Sequence, residues 1–128
     1  MKLESLAPEI RRVVEAAQNK QASDLLVLAI GKLGAFVEYF VLASGESVRQ
    51  VAAIAEEIED QLARHGRPAL HREGRAGAEW ILLDYGSFIV HIFSRAARAY
   101  YDLERLWRSA ERLELAAPHA PGSARANP

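Results

Sequence analysis

The sequence predicts an α/β (α+β) fold: one domain with a mixed five-stranded sheet flanked by helices. Three observations lead there. Two stretches, around residues 8–20 and 47–65, carry apolar side chains at helical spacing. Five short runs rich in aliphatic and aromatic residues have the length and composition of strands. The segments interleave in the order helix–strand–strand–helix–strand–strand–strand–helix, which layers helices on a sheet. At 128 residues the chain is long enough to bury a core of its own.

The first helix starts at Pro8, a residue suited to a first turn, and places Ile10, Val13, Val14 and Ala17 on one face. Leu25–Ile30 is a continuous aliphatic run, the pattern of a strand covered on both sides. Gly31-Lys32-Leu33-Gly34 breaks it, and Ala35–Ala43 follows as a second strand. Phe36, Phe40 and Leu42 lie on one face of that strand, and Val37, Tyr39 and Val41 on the other. So short a connection predicts an antiparallel pair. The best-marked helix comes next. Ser47 and Gln50 have capping-box spacing, Val48, Val51, Ala55, Ile58 and Leu62 form the core stripe, and Gly66 and Pro68 end it.

Leu70–Glu73 reads as a short strand. Gly86-Ser87 reads as a two-residue hairpin loop that pairs Leu83 with Val90, Leu82 with His91 and Trp80 with Phe93. Ile81, Leu83, Tyr85, Phe88, Val90 and Ile92 then form an apolar core face, and Trp80, Leu82, Asp84, Ile89, His91 and Phe93 a mixed one. A last helix is expected from about Arg95 to Leu115, capped by Ser94, with Arg98–Asp102 and Glu104–Arg108 as ion pairs one turn apart. The domain is therefore assigned to residues 1–115. Residues 116–128, small and Pro-rich, are expected to be a disordered tail.

Composition narrows the function. There is no cysteine, which removes disulfides, thiolate metal sites and a cysteine nucleophile, and fits a reducing compartment. The opening MKLESLAPEIRR lacks the apolar core of a secretory signal, and no run reaches a membrane-spanning length, so a cytoplasmic protein is expected. The net charge of −1 argues against direct nucleic-acid binding, which draws on an excess of basic charge. A protein partner fits better.

Candidate chemistry is sparse. Asp84 and His91 are diagonal neighbours across the hairpin, and two readings apply: a dyad orienting a general base, or a half-buried histidine bonded to a carboxylate within a binding face. His65, His71 and His119 show no metal-ligand spacing. Ser44–Ser47, between strand and helix, lacks the glycine-rich length and the lysine of a phosphate loop. Tyr100, Tyr101, Leu106 and Trp107 could form a recognition strip or could be core. No cofactor and no metal are expected.

The segments FVEYFVLASGESVRQV (36–51), EG (73–74), WILLDYGSFIVHIF (80–93) and YYDLERLW (100–107) resemble the ribosomal silencing factor family, RsfS or Iojap. The resemblance spans roughly residues 8–108. It implies a small domain with nucleotidyltransferase-like topology and no catalysis. It also implies binding to the fourteenth protein of the large ribosomal subunit, which blocks joining of the small subunit and represses translation when nutrients are short. Carried over by position, the partner-binding residues are Glu73, Gly74, Trp80, Asp84, Tyr85, His91 and Tyr101. Two positions depart from the family pattern, Ala29 and Glu38, where acids and an aspartate are usual. Family members also self-associate, so a homodimer module is an alternative, as is a degenerate nucleotidyltransferase-like enzyme using Asp84, His91 and the 44–47 loop.

Overall fold

Alternation along residues 80–94 generates the hairpin at the middle of the fold. The computed structural model describes residues 1–115. In it β4 (Trp80–Asp84) and β5 (Phe88–Ser94) pair antiparallel with Leu83 opposite Val90, Leu82 opposite His91 and Trp80 opposite Phe93, in the expected register. Gly86, at φ +90°, makes the tight reversal possible. The short β3 (His71–Glu73) adds to the outer side of β4.

On its other side β5 runs parallel to β2 (Tyr39–Gly45), which pairs antiparallel with β1 (Ser23–Ala29). A parallel neighbour needs a long crossover, and α2 (Val48–Arg64) begins that crossover. Ser47 caps it as the sequence indicates, while the Gln50 side chain reaches back one residue further than a capping box requires. Ser47 Oγ accepts the Gln50 N–H at 3.1 Å, and Gln50 Oε1 accepts the Glu46 N–H at 2.6 Å. α1 (Pro8–Asn19) packs beside α2 on the same side of the sheet. Between these helices and the sheet lies the main core, with Ile10, Val14, Ile54, Ile58, Leu83 and Val90 all at most 2 % exposed. Arg67, just past α2, donates to Glu9 at 2.8 Å and to the Tyr85 carbonyl at 2.7 Å, tying helix α1 to the hairpin turn.

Four expectations need correction. The chain after Ser94 is not one helix. α3 (Arg95–Tyr101) is capped by Ser94 Oγ, which accepts the Ala97 N–H at 3.1 Å. It stops at Asp102, whose φ of +49° is left-handed. A single turn, α4 (Leu103–Leu106), follows, and then β6 (Glu111–Leu115) pairs antiparallel with β1. The sheet therefore has six strands, in the order β3-β4-β5-β2-β1-β6. The anticipated one-turn ion pairs give way to Arg98–Glu104 at 3.2 Å, because the bend at Asp102 returns Glu104 to the buried guanidinium.

The second correction concerns residues 35–38, expected as strand. A 3-10 turn over Gly31–Leu33 and Gly34 at φ +89° displace them, the Glu38 carbonyl accepts the Ile30 and Gly31 N–H groups, and Phe36 stands fully in solvent. The third and fourth concern Tyr85 and the Asp84–His91 pairing, treated below. The expected tail, with His119, lies outside the described residues.

Candidate functional site

The mixed face of the hairpin becomes a strip of rings. Register sets Trp80, Leu82 and Asp84 opposite Phe93, His91 and Ile89. The parallel neighbour β2 adds Phe40 beside Ile89 and Leu42 beside His91. From the chain after β5, Tyr101 lies 4.5 Å from the Trp80 ring and Trp107 stands edge-on to Phe40 at 6.0 Å. Trp80, Leu82, Phe40, Ile89 and Trp107 remain half-buried, so the strip is neither sealed core nor open surface. Around it Tyr101 is 50 %, Leu106 73 % and Tyr100 82 % exposed. The two readings of the 100–107 aromatics thus divide, with Leu103 and Trp107 packed and the tyrosines outward.

His91 lies deep in this strip. Its ring meets Phe40 edge-on at 4.5 Å and stacks near Phe93 at 5.9 Å. The Trp80 Nε1–H donates to His91 Nδ1 at 3.1 Å, which places the imidazole proton on Nε2. Nε2 is buried and has no hydrogen-bond partner among the described residues. Burial lowers the histidine's pKa to about 4, so the ring is neutral at physiological pH.

Asp84 is not the partner of His91, which corrects the expected pairing. Its Oδ1 accepts the Gly86 N–H at 2.8 Å and so shapes the turn. The diagonal across the hairpin is within reach, yet the indole of Trp80, on the same strand, reaches the imidazole instead. With Nδ1 occupied and Nε2 buried, His91 has no free nitrogen to offer as a base to a substrate from solvent.

The other carried-over positions are spread over several roles. Glu73 is exposed and contacts His71 at 3.0 Å. Gly74 has φ +94°, and a Cβ there would sit 2.6 Å from the Trp80 carbonyl, so it serves the backbone under Trp80. Tyr85 is 1 % exposed and stacks on Phe88 in the main core, on the face away from the strip. Its alternation parity already placed it there. Burial pushes its phenol up to about 12. It cannot touch a partner directly. Phe40 was missed as a site residue, because only the parallel β2–β5 pairing brings it to His91, and no local signal encodes that pairing.

A cavity of about 630 Å³ opens at the carboxyl ends of β2 and β5, where open α/β sheets often bind ligands. Ser44 and the arginines 95, 98 and 112 line it. Each arginine is answered by an acid: Glu46 at 2.6 Å, Glu104 at 3.2 Å and Glu114 at 3.5 Å respectively. Arg98 also donates to the Asp24 carbonyl at 2.5 Å and to Ser44 Oγ at 3.0 Å. These guanidinium groups are committed within the protein. Among the described residues no three His, Asp or Glu side chains cluster to hold a metal, and no helix is long and apolar enough to cross a membrane.

Fold and site together define a class, a small α+β domain with a half-buried, mainly aromatic strip on one sheet face. Comparison with known proteins gives the family. A family profile described as "Ribosomal silencing factor during starvation" matches residues 3–128. The ribosomal silencing factor RsfS of Bacillus subtilis is 39 % identical over 100 residues, covering 78 % of this chain and 85 % of that protein. The mouse protein "Mitochondrial assembly of ribosomal large subunit protein 1" is 28 % identical over 102 residues, covering 77 % of this chain and 45 % of that protein. A crystal structure of a Chromobacterium violaceum protein superposes with a TM-score of 0.76 at 29 % identity, covering 93 % of this chain and 98 % of the other. One from Bacillus halodurans gives 0.72 at 34 % identity, covering 83 % and 96 %. The chain belongs to the ribosomal silencing factor family, a family of regulators of the ribosome, as the resemblance in residues 36–107 indicated.

Proposed function

We propose that this protein docks through the Trp80 strip on the large ribosomal subunit, at its fourteenth protein, and there sterically blocks joining of the small subunit, repressing translation under nutrient limitation in the cytoplasm. The observation that carries this reading is the strip itself. Rings of Trp80, Phe40 and Trp107 lie half-buried beside exposed Tyr101, with Asp84 at the turn end of the same face. Such desolvated aromatic clusters supply most of the energy of protein–protein docking. Family membership supports the ribosome as the target, and the name of the mouse relative points to the large subunit. The near-neutral charge supports a protein partner over bare RNA. Inhibition would follow from occupancy of the joining surface alone.

The test is co-sedimentation with purified large subunits, followed by addition of small subunits. Retention with suppressed joining supports the reading, and no retention refutes it. Trp80→Ala is expected to weaken retention by about 2 kcal/mol or more. Wild-type retention by the folded variant would remove Trp80 from the docking face. The fully exposed Phe36 favours a second reading, self-association, which sedimentation at several concentrations tests.

A further inference from the structure

His91 is an expensive residue for its position. It is 4 % exposed, flanked on the neighbouring strands by Leu82 and Leu42, and packed against Phe40 and Phe93. An apolar side chain there would carry no polar desolvation, whereas the imidazole buries an Nε2–H that meets no acceptor among the described residues. What the imidazole supplies, and a phenyl ring cannot, is the acceptor for the Trp80 Nε1–H. Asp84 does not supply it: its Oδ1 turns to the Gly86 N–H, and the indole bonds to the imidazole instead. A carboxylate in place of His91 could accept the bond only by burying a charge. A neutral imidazole accepts it without one, and burial keeps the ring neutral.

The other ring contacts of the indole are tilted and involve no hydrogen bond. Phe93 lies 4.9 Å from it and Tyr101 4.5 Å, and Tyr101 is itself half exposed at the left-handed bend after α3. Apolar ring contacts of this kind are not directional, whereas a hydrogen bond is. A docking aromatic contributes fully only when it is held in its bound orientation before the partner arrives.

We propose that His91 is a positioning residue: through the Nε1–H···Nδ1 bond it holds the Trp80 indole in the orientation that meets the partner, at a cost in stability. This rests on the docking role proposed above. Stability and binding should therefore move in opposite directions when the acceptor is removed.

The test uses the full chain with His91→Phe and His91→Gln, and three measurements. Thermal melting should show His91→Phe at least as stable as wild type. Acrylamide quenching of Trp80 emission, read with Trp107→Phe as the common background so that one of the chain's two tryptophans remains, should rise about twofold. Affinity for purified bacterial large subunits should fall about three- to tenfold, the worth of one hydrogen bond. His91→Gln, whose Oε1 can accept the indole N–H, should recover most of both losses. In Trp80→Phe the His91→Phe change should cost nothing further, because its effect runs through the indole. His91→Leu carries the same expectations should the phenyl ring not fit.

Unchanged quenching in His91→Phe overturns the proposal, as does a binding loss that persists in the Trp80→Phe background. If wild type is not retained on large subunits, the docking role fails. The quenching measurement then still decides whether His91 orients Trp80.

Discussion

Gly74 carries a constraint its neighbours do not. Its φ of +94° and the 2.6 Å approach to the Trp80 carbonyl mean that any side chain would push against the backbone that positions the indole. Gly74→Ala should cost about 1–3 kcal/mol in urea unfolding and shift Trp80 emission. A stable variant with wild-type emission would show that β4 tolerates the displacement. His91 sets a pH dependence at the same scale. Its pKa falls to about 4 on folding, from an ordinary 6.5, so the unfolded chain binds the proton more readily. Stability should therefore drop as pH falls below about 6.5, and the loss should be complete near pH 4, at about 3 kcal/mol. Melting followed across that range should lose this component in His91→Phe. A variant with an unchanged profile would assign the acid sensitivity elsewhere.

Among the elements, the helix α2 and the strand β6 show opposite relations between local signal and outcome. α2 has every local mark of a helix, including cap, stripe and stop, and forms where they place it. Residues 95–115 also carry a helical stripe, yet the chain bends at Asp102 and finishes as a strand. The reason lies outside the segment. Without β6 the outer edge of β1 would expose its backbone groups, and pairing Leu25–Ala29 with Glu111–Leu115 satisfies them. A local trace of this was present in Glu111–Leu115, where Leu113 and Leu115 alternate with charged residues and both pack on the main core. Leu113→Asp should destabilise the fold and speed hydrogen exchange at Leu26, Val27 and Leu28 on β1. Undisturbed protection there would mean β1 does not depend on β6.

For the whole molecule, charge and topology act together. The main core uses one face of the sheet and two helices. Among the described residues, the other face is covered by the short α3–α4 segment and by Ile30, Ala35 and Val37 of the β1–β2 connection, which leaves the strip partly open. Since the strip carries no basic side chain and the chain is near neutral, attachment to large subunits should depend weakly on salt. Retention measured between 50 and 200 mM salt should change far less than the roughly thousandfold of a phosphate-gripping protein. A steep slope would point to a direct RNA contact.

Local chemistry was enough to specify the hairpin register, the capped α2 helix, the antiparallel β1–β2 pair and the face that carries Trp80 and His91. Each depends on side-chain period or on residues within a few positions. The family too was legible, because its marks lie in short contiguous segments. What only the tertiary structure decided depends on groups distant in sequence. The parallel β2–β5 pairing brings Phe40 to His91, the open edge of β1 draws residues 111–115 into a strand, and the reach of the Trp80 indole takes His91 from Asp84. In each case two or more partners were locally available to the same group. Which one it met was set by the packing of strands and helices that the intervening sequence does not encode on its own.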